Sequence, residues 1–176
     1  MERYATLVVE VAVIAASFAL AAIGAGAAPP EKVEQMPPSV AEARGRARLL
    51  HETIHATLHL VHQQYYREDE GLELPAATLK GVFRELADRQ KVELRWLVVD
   101  GQAMNVAHNP ESQFEKDAAK ALAAGQEEFE PVQQGVYRRA GKIALTSECL
   151  KCHLPNRTSA KPRAAGLIIA MPVESD

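Results

Sequence analysis

Residues 165–173 read Ala-Gly-Leu-Ile-Ile-Ala-Met-Pro-Val, a run without a charged side chain. Short apolar runs of this kind are typical of buried strands. A further strand is predicted at 92–99, where Asp100-Gly101 signals a hairpin turn and Gln102–Val106 is expected to return. The sequence therefore predicts a sheet in the second half of the chain.

Another antiparallel pair, 128–133 with 136–146, is predicted around Gly135. Long helical patterns precede these strands. Ser39 and Glu42 have the spacing of a capping box, and the helix that they open is expected to reach about Tyr66. Its apolar stripe consists of Leu50, Ile54, Leu58, Val61 and Tyr65.

Two shorter helices complete the predicted elements. One follows Pro75, with its buried side formed by Leu79, Val82, Phe83 and Leu86. The other spans about Ser112–Ala124, with Gly125 as its C-cap. This order predicts an α+β fold with a PAS-like small antiparallel sheet and a long N-terminal helix, over residues 39–176.

The start of the chain has the composition of an export segment. No charged residue occurs from Val11 to Ala28, and Ala25-Gly26-Ala27 fits signal peptidase. Residues 1–27 are therefore predicted to be a signal peptide or a membrane anchor, followed by a Pro-rich linker at 28–38. The weak transfer energy of alanine favours cleavage. Either outcome places the domain in the periplasm or another extracytoplasmic compartment.

The motif Cys149-Leu-Lys-Cys152-His153 has the C-x-x-C-H spacing that attaches c-type haem. One helical turn separates the two thiols by the distance between the vinyl groups on one side of a porphyrin. His153 then becomes the proximal iron ligand. The sequence thus predicts one covalent haem c, with Ser147 as a plausible N-cap of the turn.

Two other interpretations of the motif are weaker. A thioredoxin-like pair would need a βαβ pattern, which does not follow these cysteines. A zinc site is the other, distant alternative, because a second compact pair of ligands is missing. The net charge of −3 gives no basic surface for nucleic acid, and no motif of hydrolysis is present, which favours a protein that is not an enzyme.

The stretch from about Arg84 to Val173 resembles a family of exported, PAS-like single-haem c-type domains, often found in front of bacterial signalling modules. The landmarks are Asn109-Pro110, Phe114-Glu115, Ala121-Leu122, the haem motif and the closing run at 166–173. The resemblance implies a haem held against a PAS-like sheet and a sensory or redox role.

The second axial ligand is open at this point. His51, His55, His59 and His62 form a band along the edge of the first helix's apolar stripe. His62 is the preferred candidate and His55 the next, followed by His51 or His59. Met104, His108 or no protein ligand come last, and His108 could instead contact a haem propionate. Arg157, Lys161 and Arg163 could pair with haem propionates, and a solvated loop is an equal alternative for them.

The identity of that ligand bears on function. A weakly held sixth position suits binding of a diatomic gas, whereas a six-coordinate iron suits redox sensing or electron transfer. The sequence predicts a haem-based redox or gas sensor module. An electron-transfer cytochrome c with a redox partner protein is the alternative, and a peroxidase is a distant third.

Overall fold

A computed structural model describes residues 36–101, 103, 105–133, 135–153 and 161–174. The predicted signal peptide or anchor at 1–27 lies outside these residues, as does most of the linker at 28–38. Within the described ranges, no helix combines the length and the apolar character that a membrane span requires.

The centre of the molecule is a five-stranded antiparallel sheet. Its strands are β1 (Glu93–Val98), β2 (Glu128–Phe129), β3 (Val132–Gln133), β4 (Val136–Ala144) and β5 (Ala164–Pro172). The last strand, β5, lies between β1 and β4, and both short strands pair with the far edge of β4. Leu167 on β5 faces Trp96 on one side and Gly141 on the other.

The predicted return strand at 102–106 is wrong in the part that is described. Residues Val106–His108 form a 3-10 turn, and β1 pairs with β5 instead. Gln102 and Met104 lie outside the described residues. Asp100 explains the difference, because its N–H donates to the carbonyl of Ala164 at 3.2 Å and its carboxylate accepts the N–H of Ala164 at 2.9 Å.

The predicted strand at 128–133 is divided into β2 and β3. Pro131 has no N–H and cannot donate to the ladder, so the strand is interrupted there. The carboxylate of Glu130, also in the gap, accepts the hydroxyl of Tyr137 at 2.5 Å. The predicted pairing with 136–146 is otherwise confirmed, although β4 ends at Ala144.

In the described ranges, four α-helices accompany the sheet, namely α1 (Val40–Gln64), α2 (Pro75–Gln90), α3 (Gln113–Ala123) and α4 (Ser147–His153). The capping box of Ser39 and Glu42 is confirmed, and Ser112 with Glu115 forms a second one at α3. Two predicted core positions are wrong: Tyr65 is 69% exposed and Val82 is 46% exposed. Tyr65 is the C-cap of α1, where the helical stripe has already ended.

The helices form layers on both faces of the sheet. Helices α1 and α2 cover one face, over a core that includes Ile54, Phe83, Trp96 and Leu167. Helix α3 covers the other face, where Ala118 and Leu122 pack with Leu97, Ala140 and Ile168. The predicted α+β class, with a small antiparallel sheet and a long N-terminal helix, is confirmed.

Close packing against β4 fixes the position of α1. A Cβ atom at Gly141 would stand 2.5 Å from Cδ2 of His51 and 2.4 Å from Nη1 of Arg139, so only glycine fits there. The buried Arg139 pairs with Glu128 at 2.9 Å, and Glu128 also accepts Arg48 of α1 at 2.5 Å. These contacts hold the histidine-bearing helix in one register on the sheet.

Candidate functional site

A largely apolar pocket opens to solvent at the end of the sheet where β1 and β4 finish and β5 begins. The space between its walls, with the open mouth counted in, is about 1050 Å³. Leu58 of α1, Trp96 of β1 and Ile143 of β4 are among its apolar walls.

Cys149, the first cysteine of the motif, lines this pocket from α4. The N–H of Leu150 donates to the carbonyl of Thr146 at 3.0 Å, which makes Thr146 the N-cap rather than the predicted Ser147. The Thr146 hydroxyl also lies 3.3 Å from Sγ of Cys149. Cys152 and His153 belong to the same helix, but their side chains lie outside the described part of the chain.

Two histidines of the α1 band, His59 and His62, line the same pocket. His55 is not among the lining residues. It lies between its neighbours on the helix, with its ring centroid 5.7 Å from that of His51 and 4.5 Å from that of His59. The structure therefore brings His62 together with Cys149, and it adds His59, which the sequence ranked lower.

Nε2 of His59 is buried and has no hydrogen-bond partner among the described residues; the same holds for His55. Burial lowers the pKa of His51, with the nearby Arg139 cation adding to the effect. Burial likewise lowers the pKa of His55, helped by His59 and His51. Neutral imidazoles with an available nitrogen are the form that binds a metal.

His62 lies on the pocket wall beside Tyr66. Its ring centroid is 5.1 Å from that of Tyr66, and it is one of the groups that lower the pKa of Glu148, after Lys151. Lys151 donates to the Glu148 carboxylate at 2.5 Å. His62 is thus next to the motif helix as well as on the pocket wall.

His108, a secondary candidate in the sequence, also lines the pocket. Sequence reasoning missed Arg95, whose guanidinium donates to the carbonyls of Ala107 and Asn109 on either side of His108. Met104, the other secondary candidate, lies outside the described residues. The only sequence signal for this arrangement was the Asn109-Pro110 landmark, which did not point to Arg95.

The predicted propionate partners are placed only in part. Arg163 lies 3.7 Å from the carboxylate of Asp100, which lines the pocket. Lys161 is exposed, and Arg157 lies outside the described residues. No group of three His, Cys, Asp or Glu side chains in the described ranges could hold a metal ion, and these ranges leave out the side chains of Cys152 and His153.

Fold and site together define a small α+β domain with a cysteine- and histidine-lined pocket at the end of its sheet. The chain belongs to the Tll0287-like family, whose model matches residues 35–170.

A solved structure has a similar fold, the crystal structure of the cyanobacterial heme-protein Tll0287. The two chains are 14% identical, with a TM-score of 0.59, over 77% of this chain and 98% of that one. No curated protein matches the chain in sequence.

Proposed function

We propose that this chain is an exported monohaem c-type protein whose haem occupies the pocket lined by Cys149. One observation carries the proposal: the first cysteine of a C-x-x-C-H motif lines a pocket into which α1 also brings imidazoles. The buried Nε2 of His59, with no partner among the described residues, fits an iron ligand. The similarity to a cyanobacterial haem protein supports the same cofactor.

In this proposal, Cys149 and Cys152 form the thioether bonds and His153 is the proximal ligand. His59 or His62 supplies the second axial nitrogen, because both line the pocket, whereas His55 does not. Bound haem iron supplies one-electron redox chemistry and, where the sixth position opens, binding of a diatomic gas. The apolar walls of the pocket would exclude water and so tune the potential.

We propose a redox or gas sensor role, in keeping with the PAS-like character that the sequence suggests. Electron transfer to a redox partner protein is the second candidate, and the open mouth of the pocket favours it. A haem in such a pocket would have an edge accessible to another protein.

The test is the spectrum of the protein made in a host with cytochrome c maturation. We expect a c-type pyridine haemochrome band, because thioether formation saturates the vinyl groups of the porphyrin. The colour should also survive acid-acetone extraction, because thioether bonds hold the haem to the chain. Carbon monoxide titration of the reduced protein then separates the roles. Tight binding supports gas sensing, while an inert six-coordinate haem with fast self-exchange supports electron transfer.

Export is a separate proposal with its own measurement. We expect N-terminal sequencing of the secreted protein to begin at or near Ala28, since Ala25-Gly26-Ala27 supplies the cleavage site. Recovery of the intact N-terminus from the membrane fraction alone would identify residues 1–27 as an anchor. Unprocessed protein confined to the cytoplasm would contradict export in either form.

A further inference from the structure

The loop that carries His108 is held by hydrogen bonds rather than by burial. None of the residues Val106–His108 is buried, and Val106 is 77% exposed. Apolar packing therefore contributes little to the shape of this loop. Just before the turn, the side chain of Asn105 accepts the N–H of Ala107 at 3.0 Å, which makes Asn105 its N-cap.

Arg95, on β1, ties the loop to the sheet. Its guanidinium donates to the carbonyl oxygens of Ala107 at 2.7 Å and Asn109 at 2.8 Å. These carbonyls belong to the residues immediately before and after His108. Both bonds come from Nη2, while Nη1 donates to Glu115, so the planar guanidinium holds the loop and α3 at once, which a single ammonium group does less well.

Glu115, at the start of α3, completes this clamp. It pairs with Arg95 and accepts the backbone N–H groups of Glu111 at 2.7 Å and Ser112 at 2.9 Å. Burial acts to raise the pKa of Glu115, but the backbone N–H bonds and Arg95 outweigh it and lower that pKa. The carboxylate therefore stays charged at neutral pH, and the guanidinium keeps its anchor.

The pocket offers more imidazoles than one iron can use. His59, His62 and His108 all line it, whereas an iron bound by His153 has one axial position left. An imidazole held by a fixed backbone on the wall of such a pocket is preorganised for a polar contact. Hydrogen bonds near a haem change its reduction potential, because they stabilise one charge state over the other.

We propose that Arg95 is a positioning residue of the pocket: it holds His108 as a polar contact of the bound haem, separate from the axial donors on α1. This inference rests on the proposed haem function. In this inference, the clamp of Arg95 and Glu115 tunes the reduction potential of the haem in addition to stabilising the fold.

The test is a double-mutant cycle on the haem-loaded protein, with the midpoint potential as the readout. We expect His108→Ala and Arg95→Lys each to change the reduction equilibrium constant roughly threefold to tenfold, where tenfold corresponds to about 59 mV for one electron. The double variant should shift no further, because the two residues act through one contact. All three should keep the low-spin spectrum of the parent.

The control is Arg89→Lys, which changes an exposed guanidinium paired with Glu85 on α2 and should leave the potential unchanged. An unchanged potential in His108→Ala overturns the inference, and so do additive shifts in the double variant. A high-spin His108→Ala protein would make His108 an axial ligand and overturn it too. A colourless parent protein would instead contradict the proposed function itself. Should Arg95→Lys not fold, Arg95→Met takes its place in the cycle, and the His108→Ala measurement stands on its own.

Discussion

Replacing both Cys149 and Cys152 by Ala is expected to remove covalent haem completely. Each thioether needs a sulfur, and the chain has no other cysteine to supply one. Protein from a maturation-competent host should then lose its haem on acid-acetone extraction, and haem staining of a denaturing gel should show no band. Each single variant keeps one possible thioether and should retain reduced staining.

Lys151→Ala is the matched control for this experiment. Lys151 lies on the same turn as the cysteines, is exposed and pairs with Glu148. Its replacement should leave haem attachment intact. Colourless parent protein with stoichiometric zinc would contradict the haem proposal and support the zinc alternative.

Replacing the α1 imidazole that we propose as an iron ligand should change the spin state of the iron and its affinity for carbon monoxide. Two strong nitrogen donors give a low-spin haem, and loss of one leaves a high-spin or water-bound iron. A protein ligand that occupies the sixth position about 99% of the time lowers apparent gas affinity about 100-fold. We therefore expect His59→Ala or His62→Ala to raise carbon monoxide affinity by up to that factor.

His55→Ala is the matched control. His55 is on the same helix, but its imidazole does not line the pocket. Its spectrum should stay low-spin, with gas affinity close to that of the parent. A high-spin His55→Ala protein would instead support the sequence-based prediction of His55 as ligand. If His59, His62 and their double variant all stay low-spin, the ligand does not come from this part of α1.

Local signals in the sequence predicted the helices well. Capping boxes join residues three apart, so Ser39 with Glu42 could be recognised without tertiary information. The haem motif and the histidine band could be recognised for the same reason. Both depend on spacing within one helix, and the structure places Cys149 and His62 on one pocket.

Long-range pairing was beyond this kind of prediction. The position of β5 between β1 and β4 depends on strands that are distant in sequence, and Asp100-Gly101 looked like an ordinary hairpin turn. The Arg95 clamp is similar, because its acceptors include the backbone carbonyls of Ala107 and Asn109. Every residue has a carbonyl, so side-chain patterns cannot identify these partners.

The C-x-x-C-H motif lies in the segment that connects β4 to β5. Strands β4 and β5 are antiparallel neighbours, which usually need a turn of only about two to five residues. Their connection is instead residues 145–163, and the Leu145 N–H closes its base on the carbonyl of Arg163 at 3.0 Å. The segment that contains the C-x-x-C-H motif is thus an insertion whose length and chemistry can change while strand register is preserved. We expect relatives with the same sheet to diverge most in this segment, some of them carrying a different prosthetic group or none.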